Sequence, residues 1–592
     1  MLDPWIYRAG LVPVLLAVVV AAFSIQTPPR PLTATLPPDS FSGARAYVEL
    51  QQLVRAFPNR APGGSGDRAL ASRVERELMQ REDESQRPGF RVRTRVFEDR
   101  TVRGSRELRT VIGERTGLSR RQIVVVAHRD ALSSPSTAEL SGTAGLIELV
   151  RVFRGRTLRK TLVLVSTTGG SAGAAGAAEV ASRLRGPVDG VIVLGDLAGN
   201  RLRRPFVVPW SDRDEVAPPV LHDTLAGAVR QESGGRPGSP GLVAQFAHLA
   251  FPLTPGEQGR LAGYGLPAVL VSVSGDRGPE GARAVNPARF GAFGRAVLRG
   301  ITALDASFAP PRRPRAQLRV LGKLLPGWAV RLLVAALMLP ALLAAVDGFA
   351  RVRRRRHPVG MWIAWVLAAA IPLAAALAFG YMLALVGLIP RLPAPPPPGA
   401  APPGLGGIAV LAVLGVVGVA AWRVSRPLVL RAPWVQGDPA SPGAAAALAL
   451  VLAALATAAW VFNPFAATLL LPALHGWILL TAPEVRIRRG AALAAVALTL
   501  VPVALVVLYY GLSLGAGPLQ LVWGTLLLVV GGHVGVLGAV SWCVLFACLV
   551  SVVAIVRAKP FELPERAQPT LREPVTYARR GLPGGAESAL RR

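Results

Sequence analysis

Apolar residues are unevenly spread along this chain, and their spacing divides it into two kinds of territory. Ala9–Ile25 is one apolar run, residues 26–326 mix polar and apolar positions, and almost everything from Leu332 to Val556 is apolar runs with short breaks. Runs of about 20 apolar residues match the hydrocarbon thickness of a bilayer. The breaks place later spans near 328–350, 361–385, 405–422, 444–461, 465–482, 491–511 and 519–556. The last stretch has room for two short crossings around Gly531-Gly532-His533. One crossing plus a re-entrant or interfacial piece gives eight spans in all, and two crossings give nine.

Between the first run and the rest, the pattern changes period. Ala44–Phe57 and Asp67–Gln80 have helical spacing, and Phe90–Phe97 alternates apolar and basic residues as a half-exposed strand does. Ile123–Ala127, Thr161–Val165, Val191–Leu194 and Ala268–Val271 are short β-branched runs, separated by helix-like segments at 141–154, 173–185 and 216–232 and closed by Pro287–Leu304. Buried strands alternating with helices predict an α/β fold, a mostly parallel sheet with helices on both faces. The expected organisation is an anchor at 1–25, a Pro-rich linker at 26–42, the α/β domain at 43–306, a linker at 307–327, an all-α polytopic transmembrane domain at 328–556 and a basic tail at 557–592.

Charge adds topology. The formal net charge is +31, yet the only lysines are Lys160, Lys323 and Lys559. This arginine skew is that of GC-rich bacterial coding, and no basic-aromatic motif accompanies it, so a nucleic-acid partner is not expected. Arg351 and Arg353–Arg356 follow the second span, Arg423, Arg426 and Arg431 the fourth, and Arg486, Arg488 and Arg489 the sixth, whereas the alternate loops carry only Arg391. The positive-inside rule then places the chain in the inner or plasma membrane with residues 26–326 extracytoplasmic and the tail cytoplasmic. The loop at 393–403 is a stiff Pro-rich spacer. His475, His533 and Asp347 are polar residues within the apolar half, the histidines suited to interhelical hydrogen bonds and Asp347 to the nearby arginines. Cys543 and Cys548 lie in the last apolar segment, so the polar domain has neither a disulfide framework nor a cysteine metal site.

The candidate chemistry is concentrated in Ile123–Asp130, IVVVAHRD, a strand ending in His-x-Asp, followed by a helix opening near Ser141-Gly142-Thr143. In the same order come FPNRAPGGSGDRALASRVERELMQ at 57–80, Gly173-Ala174-Ala175-Gly176-Ala177, Leu194-Gly195-Asp196-Leu197-Ala198-Gly199, and YGLPAVLVS at 264–272. Together these resemble the zinc aminopeptidase family M28 over about residues 43–305. An anchor, an outward M28-like domain and a polytopic half also resemble the membrane-bound M28 architecture of the endoplasmic reticulum and the peptidase-like membrane subunit of GPI transamidase.

The resemblance implies His128 and Asp196 as ligands of one metal and Asp130 as the carboxylate orienting the imidazole. It also implies losses. The bridging aspartate falls on Ala138, one residue from Glu139, and the paired glutamates fall on Gly170 and Ser171. Residues 161–178 contain no acidic residue, and Ser272–Asp305 contains no histidine. A two-zinc hydrolase needs a bridging carboxylate, an open metal position and a general base. The expectation is therefore a degenerate site, without a confident catalytic residue and without a required cofactor, zinc being the one candidate. A non-hydrolytic binding or scaffold role follows, with the bilayer and a peptide or protein as partners. An active M28 zinc aminopeptidase is the alternative, and a transporter-like membrane domain with an external sensor is a second. Gly169-Gly170-Ser171-Ala172-Gly173 also matches a nucleophile elbow letter for letter, followed by Asp196 and then by His222 or His248, which are otherwise expected on the surface and in the core.

Overall fold

The computed structural model describes residues 4–36, 40–80, 90–134, 136–279, 281–308, 313–392, 395–396, 399–430, 438–485 and 487–559. The tail beyond residue 559, Arg431, Arg486 and parts of the Pro-rich segments at 27–40 and 393–403 lie outside them.

The first apolar run is helix α1 (Pro4–Phe23). The α/β domain opens with α2 (Gly43–Ala56), whose first turn is capped by the Ser42 hydroxyl accepting from the Arg45 amide. Then come α3 (Ser65–Met79), β1 (Arg91–Thr101), β2 (Gly104–Arg115), β3 (Ser119–His128), α4 (Thr137–Phe153), β4 (Lys160–Thr167), α5 (Ala175–Arg183), β5 (Val188–Leu194) and β6 (Val207–Val208). The domain continues through α6 (Pro219–Ser233), α7 (Leu242–Ala250), α8 (Glu257–Gly263), β7 (Ala268–Val271) and α9 (Pro287–Ala306). The sheet runs β1-β2-β4-β3-β5-β7-β6. Its centre is parallel and its edges antiparallel. The fold is the expected α/β class, a mostly parallel sheet with helices on both faces.

Two features differ from the sequence expectation. β2 carries Arg106, Glu107, Arg109 and Glu114 on an edge hairpin, so its charged positions hide the strand period. The segment read as a linker at 307–327 contains the hairpin β8 (Gln317–Val320) and β9 (Lys323–Pro326), paired also to Gln26.

The apolar half comprises α10 (Gly327–Arg354), α11 (Val359–Ala368), α12 (Ile371–Leu385), α13 (Leu405–Leu430), α14 (Pro442–Phe462), α15 (Pro464–Thr481), α16 (Arg489–Thr499), α17 (Val501–Leu514), α18 (Pro518–Val530) and α19 (Val536–Ala558). Among the described residues, six helices, α1 included, are long and apolar enough to cross a membrane. The count reaches eight if the bent pairs α11–α12 (46°) and α16–α17 (49°) are one span each. Both bends sit beside a proline, Pro372 and Pro502, which lacks the amide that would continue the helix. The chain is a multi-pass membrane protein.

At 13 residues α18 is about 20 Å long, short of the roughly 30 Å hydrocarbon core. Both its ends meet the α/β domain: the Arg277 guanidinium lies against Gly515 just before it, and His533 just after it bonds the Pro252 carbonyl at 2.9 Å. It therefore runs along the domain-facing side of the bundle. The arginine-poor turns at 463 and 515–517 lie on that same side, Asn463 donating to the Leu249 carbonyl at 2.8 Å. His475, deep in α15, bonds the Leu337 carbonyl of α10 at 3.0 Å, and Asp347 pairs with Arg351 at 2.8 Å.

Strand alternation divides the sheet's side chains between two cores. Ile123, Val125, Leu162, Leu164, Ile192 and Val269 pack under α2, α3, α4, α6 and α9. Val124, Val126, Val163, Val191, Val193 and Leu270 face the other way, and their cluster continues through Trp210, Leu249 and Leu318 into α10, α14, α15 and α19. One hydrophobic core thus spans the α/β domain and the membrane bundle.

Candidate functional site

Parallel strands deliver their C-terminal ends to one edge of the sheet, where α/β ligand sites form. Here β3 ends at His128 and β4 at Thr167, while β5 leads directly into Gly195 and Asp196. Helix α4 begins at Thr137, so Ala138 and Glu139 occupy its first turn beside the end of β3.

His128 is held between two carboxylates. Its Nε2 is 3.5 Å from Glu139 and its Nδ1 is 3.8 Å from Glu257. Burial alone would lower its pKa, but Glu139, Glu257 and Asp130 outweigh that and raise it to about 9. The ring is thus an imidazolium inside an acidic pocket. Glu139 is fixed from behind by the Ser136 hydroxyl at 2.6 Å, and Glu257 by the Thr167 hydroxyl at 2.7 Å.

Gly170 lies directly on this ring. A Cβ there would stand 2.5 Å from His128 Cβ and 2.6 Å from its Cγ. A side chain at 170 and the present histidine position exclude each other. The neighbouring Ser171 faces elsewhere: its hydroxyl donates to Asp130, whose carboxylate also accepts the Gly170 amide at 3.1 Å and the Ser171 amide at 3.0 Å. Burial pushes the Asp130 carboxyl up, and His128 and Ser171 pull it back. Ser171 has a carboxylate, not a histidine, as its partner, so the elbow-like motif is a loop tie.

Asp196 is 2% exposed and closes its own turn, accepting the Ala198 amide at 3.0 Å and the Gly199 amide at 2.6 Å. Burial pushes it up to about 6 against the pull of those amides. Ala138 is fully buried and bonds through its amide to the Ala282 carbonyl.

A zinc site requires donors converging at about 2.0–2.2 Å. Glu139 and Glu257 instead flank opposite nitrogens of one ring, and those lone pairs diverge. Both oxygens of Asp130 hold a loop, and Oδ1 of Asp196 holds another. Among the described residues, no group of three or more His, Cys, Asp or Glu is placed to hold a metal ion. These residues do not fit a metal pair.

One site residue, Glu257, escapes a sequence reading, and one histidine, His248, is buried as expected. Glu257 has no motif around it, and only α8, lying against β7, brings it to His128. His248 is buried, stacked on Trp210 with ring centroids 4.2 Å apart and within 3.2 Å of the Tyr509 hydroxyl, so it belongs to the seam between the two halves. Burial lowers its pKa to about 3. His222 is paired with Asp223 at 2.8 Å, away from the cleft.

The cleft does not end at the sheet edge. His128, Glu139 and Glu257 share one cavity of about 1320 Å3 with Phe462, Tyr510 and Trp542 of the apolar helices.

No family model matches this chain, and no curated protein sequence does. Among solved structures, an Acidobacteriales bacterium glutaminyl cyclase aligns at 17% identity, covering 47% of this chain and 99% of its own, with a TM-score of 0.35. BSAP, a zinc aminopeptidase from Bacillus subtilis, aligns at 10% identity over 47% of this chain and 98% of its own, with a TM-score of 0.37. A leucine aminopeptidase precursor from Bacteroides thetaiotaomicron aligns at 12% identity over 45% and 99%, with a TM-score of 0.35.

Proposed function

We propose that this chain is a membrane-bound binding protein that uses an M28-like cleft without hydrolysing what it holds. The observation that carries the reading is the Gly170–His128 contact. The position the M28 resemblance gives to a catalytic glutamate has no side chain, and His128 fills its space while both ring nitrogens face carboxylates. A general base that activates water must stand free to accept a proton. Here the Asp130 and Asp196 carboxylates are held by backbone amides, while Glu139 and Glu257 are each held by a hydroxyl and face the His128 ring at 3.5 and 3.8 Å, with Glu257 Oε2 left without a hydrogen-bond donor. Such a site suits recognition of a ligand that brings hydrogen-bond donors to Glu139.

Sidedness follows from the arginine-rich turns at 351–356, 423–426 and 488–489, which the positive-inside rule assigns to the cytoplasm. The α/β domain is then extracytoplasmic. The test is a hydrolase assay on the full chain in detergent, with and without added zinc, using aminoacyl-nitroanilides and peptides with N-terminal glutamine. The expected result is no turnover above that of buffer. Turnover that is abolished by His128→Ala sinks the reading in favour of an active zinc aminopeptidase.

A further inference from the structure

Small-molecule sites usually enclose about 300–1,000 Å3 behind one opening. The cavity here is larger, about 1320 Å3, and it is divided by chemistry. Its α/β end is lined by ionisable groups, while its other end is lined by side chains of α14, α15, α17, α18 and α19 that are almost all apolar.

The void exists because α17 stands away from the bundle. Its main neighbours are α16, to which it is bent, and the α/β domain through α7 and the short turn at 275–277. The apolar end also reaches the surface that a bilayer would cover. Phe462, Val507 and Leu537 line the cavity and are 67%, 52% and 66% exposed. An apolar chain therefore has a sideways entrance from lipid, without passing through water.

Two guanidinium groups mark the boundary between the ends. Arg103 sits at the tip of the β1–β2 hairpin, where the adjacent Val102 packs on the Trp523 and Leu383 cluster of α18 and α12. Its position is fixed by a 3.0 Å bond to the Leu132 carbonyl. Arg277 lies against Gly515, in the turn joining α17 to α18. Both line the cavity. Arg201 and Arg203 stand close enough to Arg277 to lower its pKa further, beyond the effect of burial. Two guanidinium groups thus stand where membrane helices end and the polar domain begins, while Asp276, which also lines the cavity, is engaged by Thr254 and Gln258. Guanidinium is the side chain best matched to phosphate oxygens.

From this arrangement we infer that the cavity holds a phosphate-bearing lipid, with its chains among α14, α15, α17 and α19, its phosphate at Arg103 and Arg277, and its head substituent toward Glu139 and His128. The inference rests on the non-hydrolytic reading of the cleft and names the class of ligand held there. Two sources share this chemistry, a diacyl phospholipid of the bilayer and a polyprenyl phosphate carrier.

The experiment uses the full chain purified in detergent, titrated with phosphatidylethanolamine, undecaprenyl phosphate or phosphate-free dioleoylglycerol, with bound lipid counted by native mass spectrometry. One phosphate lipid per chain is expected, and the better-held of the two identifies the source. Arg103→Gln and Arg277→Gln should each weaken retention about fivefold, the effect of losing about 1 kcal/mol of partly exposed ion pairing. Gly524→Phe tests the apolar end independently. Gly524 lines the cavity, and a Cβ there meets no atom within 4 Å, so a side chain can start from this position without a clash at its first atom. That variant should keep the thermal transition of the parent and lose the lipid. Equal retention of dioleoylglycerol, retention unchanged in Gly524→Phe, or no lipid retained by the parent each overturns the inference. Peptide turnover in the same preparation would overturn the non-hydrolytic reading, so the two failures are separable.

Discussion

The α/β end and the membrane end of this molecule treat empty space and charge in opposite ways. In the α/β domain, two fully buried arginines are fixed by several partners each. Arg129, 1% exposed, pairs with Asp67 at 2.8 Å and donates to the carbonyls of Asp67, Ser166, Thr167 and Arg109. Arg60 donates to the carbonyls of Phe57, Arg129 and Ser136. In the membrane half, α17 leaves a void beside α14, α15 and α19 that side chains do not fill. The contrast shows where adaptation to a ligand resides: the cleft end is set by networks that tolerate one geometry, whereas the apolar end can accommodate chains of differing length.

The sharpest way to break this comparison is at Arg129. Arg129→Met leaves Asp67 buried without its counter-charge and should cost about 3–5 kcal/mol, read as a large loss of thermal stability or of folded protein. Acid should act at the seam. His248 is buried against Trp210, Tyr509 and Tyr510, and its folded pKa of about 3 lies below the ordinary 6.5. Its contribution is complete above pH 6.5 and falls away as pH drops toward 3. The slope is about 1.4 kcal/mol per pH unit, and His248→Phe should flatten it in denaturation scans.

Smaller effects sharpen the picture. Gly170→Ala forces a Cβ onto His128 and should cost about 1–3 kcal/mol, the range for overpacking a rigid site. Asn463→Ala removes both a helix cap on α15 and the bond to Leu249, an expected loss of about 1 kcal/mol. Leu469→Ala, at the void, should cost less than about 1 kcal/mol, well under the 2–5 kcal/mol of a packed core leucine. A core-sized loss there would mean that the membrane end is as tightly specified as the cleft.

Much of this arrangement is legible in the chain. The β-branched runs ending at Ala127, Val165, Leu194 and Val271 reveal a parallel sheet because such strands are buried on both faces and need no polar alternation. That residues 161–178 carry no acidic side chain is equally plain. What is not legible arises from distance and disguise. Glu257 lies 129 positions from His128 and reaches it only through the packing of α8. β2 is disguised by the charge it carries in its hairpin with the edge strand β1. Asp130 reads as a partner for His128, but loop closure turns its carboxylate to Gly170 and Ser171. That Arg103 and Arg277 line one cavity depends on how a hairpin tip and a short turn come to rest on the membrane helices, which no local pattern records.

The core shared by the sheet and the membrane helices has a consequence for how the protein is made. Pro252 finds its partner His533 281 residues later in the chain. At about 5–20 residues per second, synthesis separates the two by tens of seconds. The sheet has its own helices on both faces and need not wait, but α7 and the segment at 251–253, which rest on the membrane helices, face a partner surface that is not yet translated. Throughout that interval the docking face of a finished domain stands open beside the membrane.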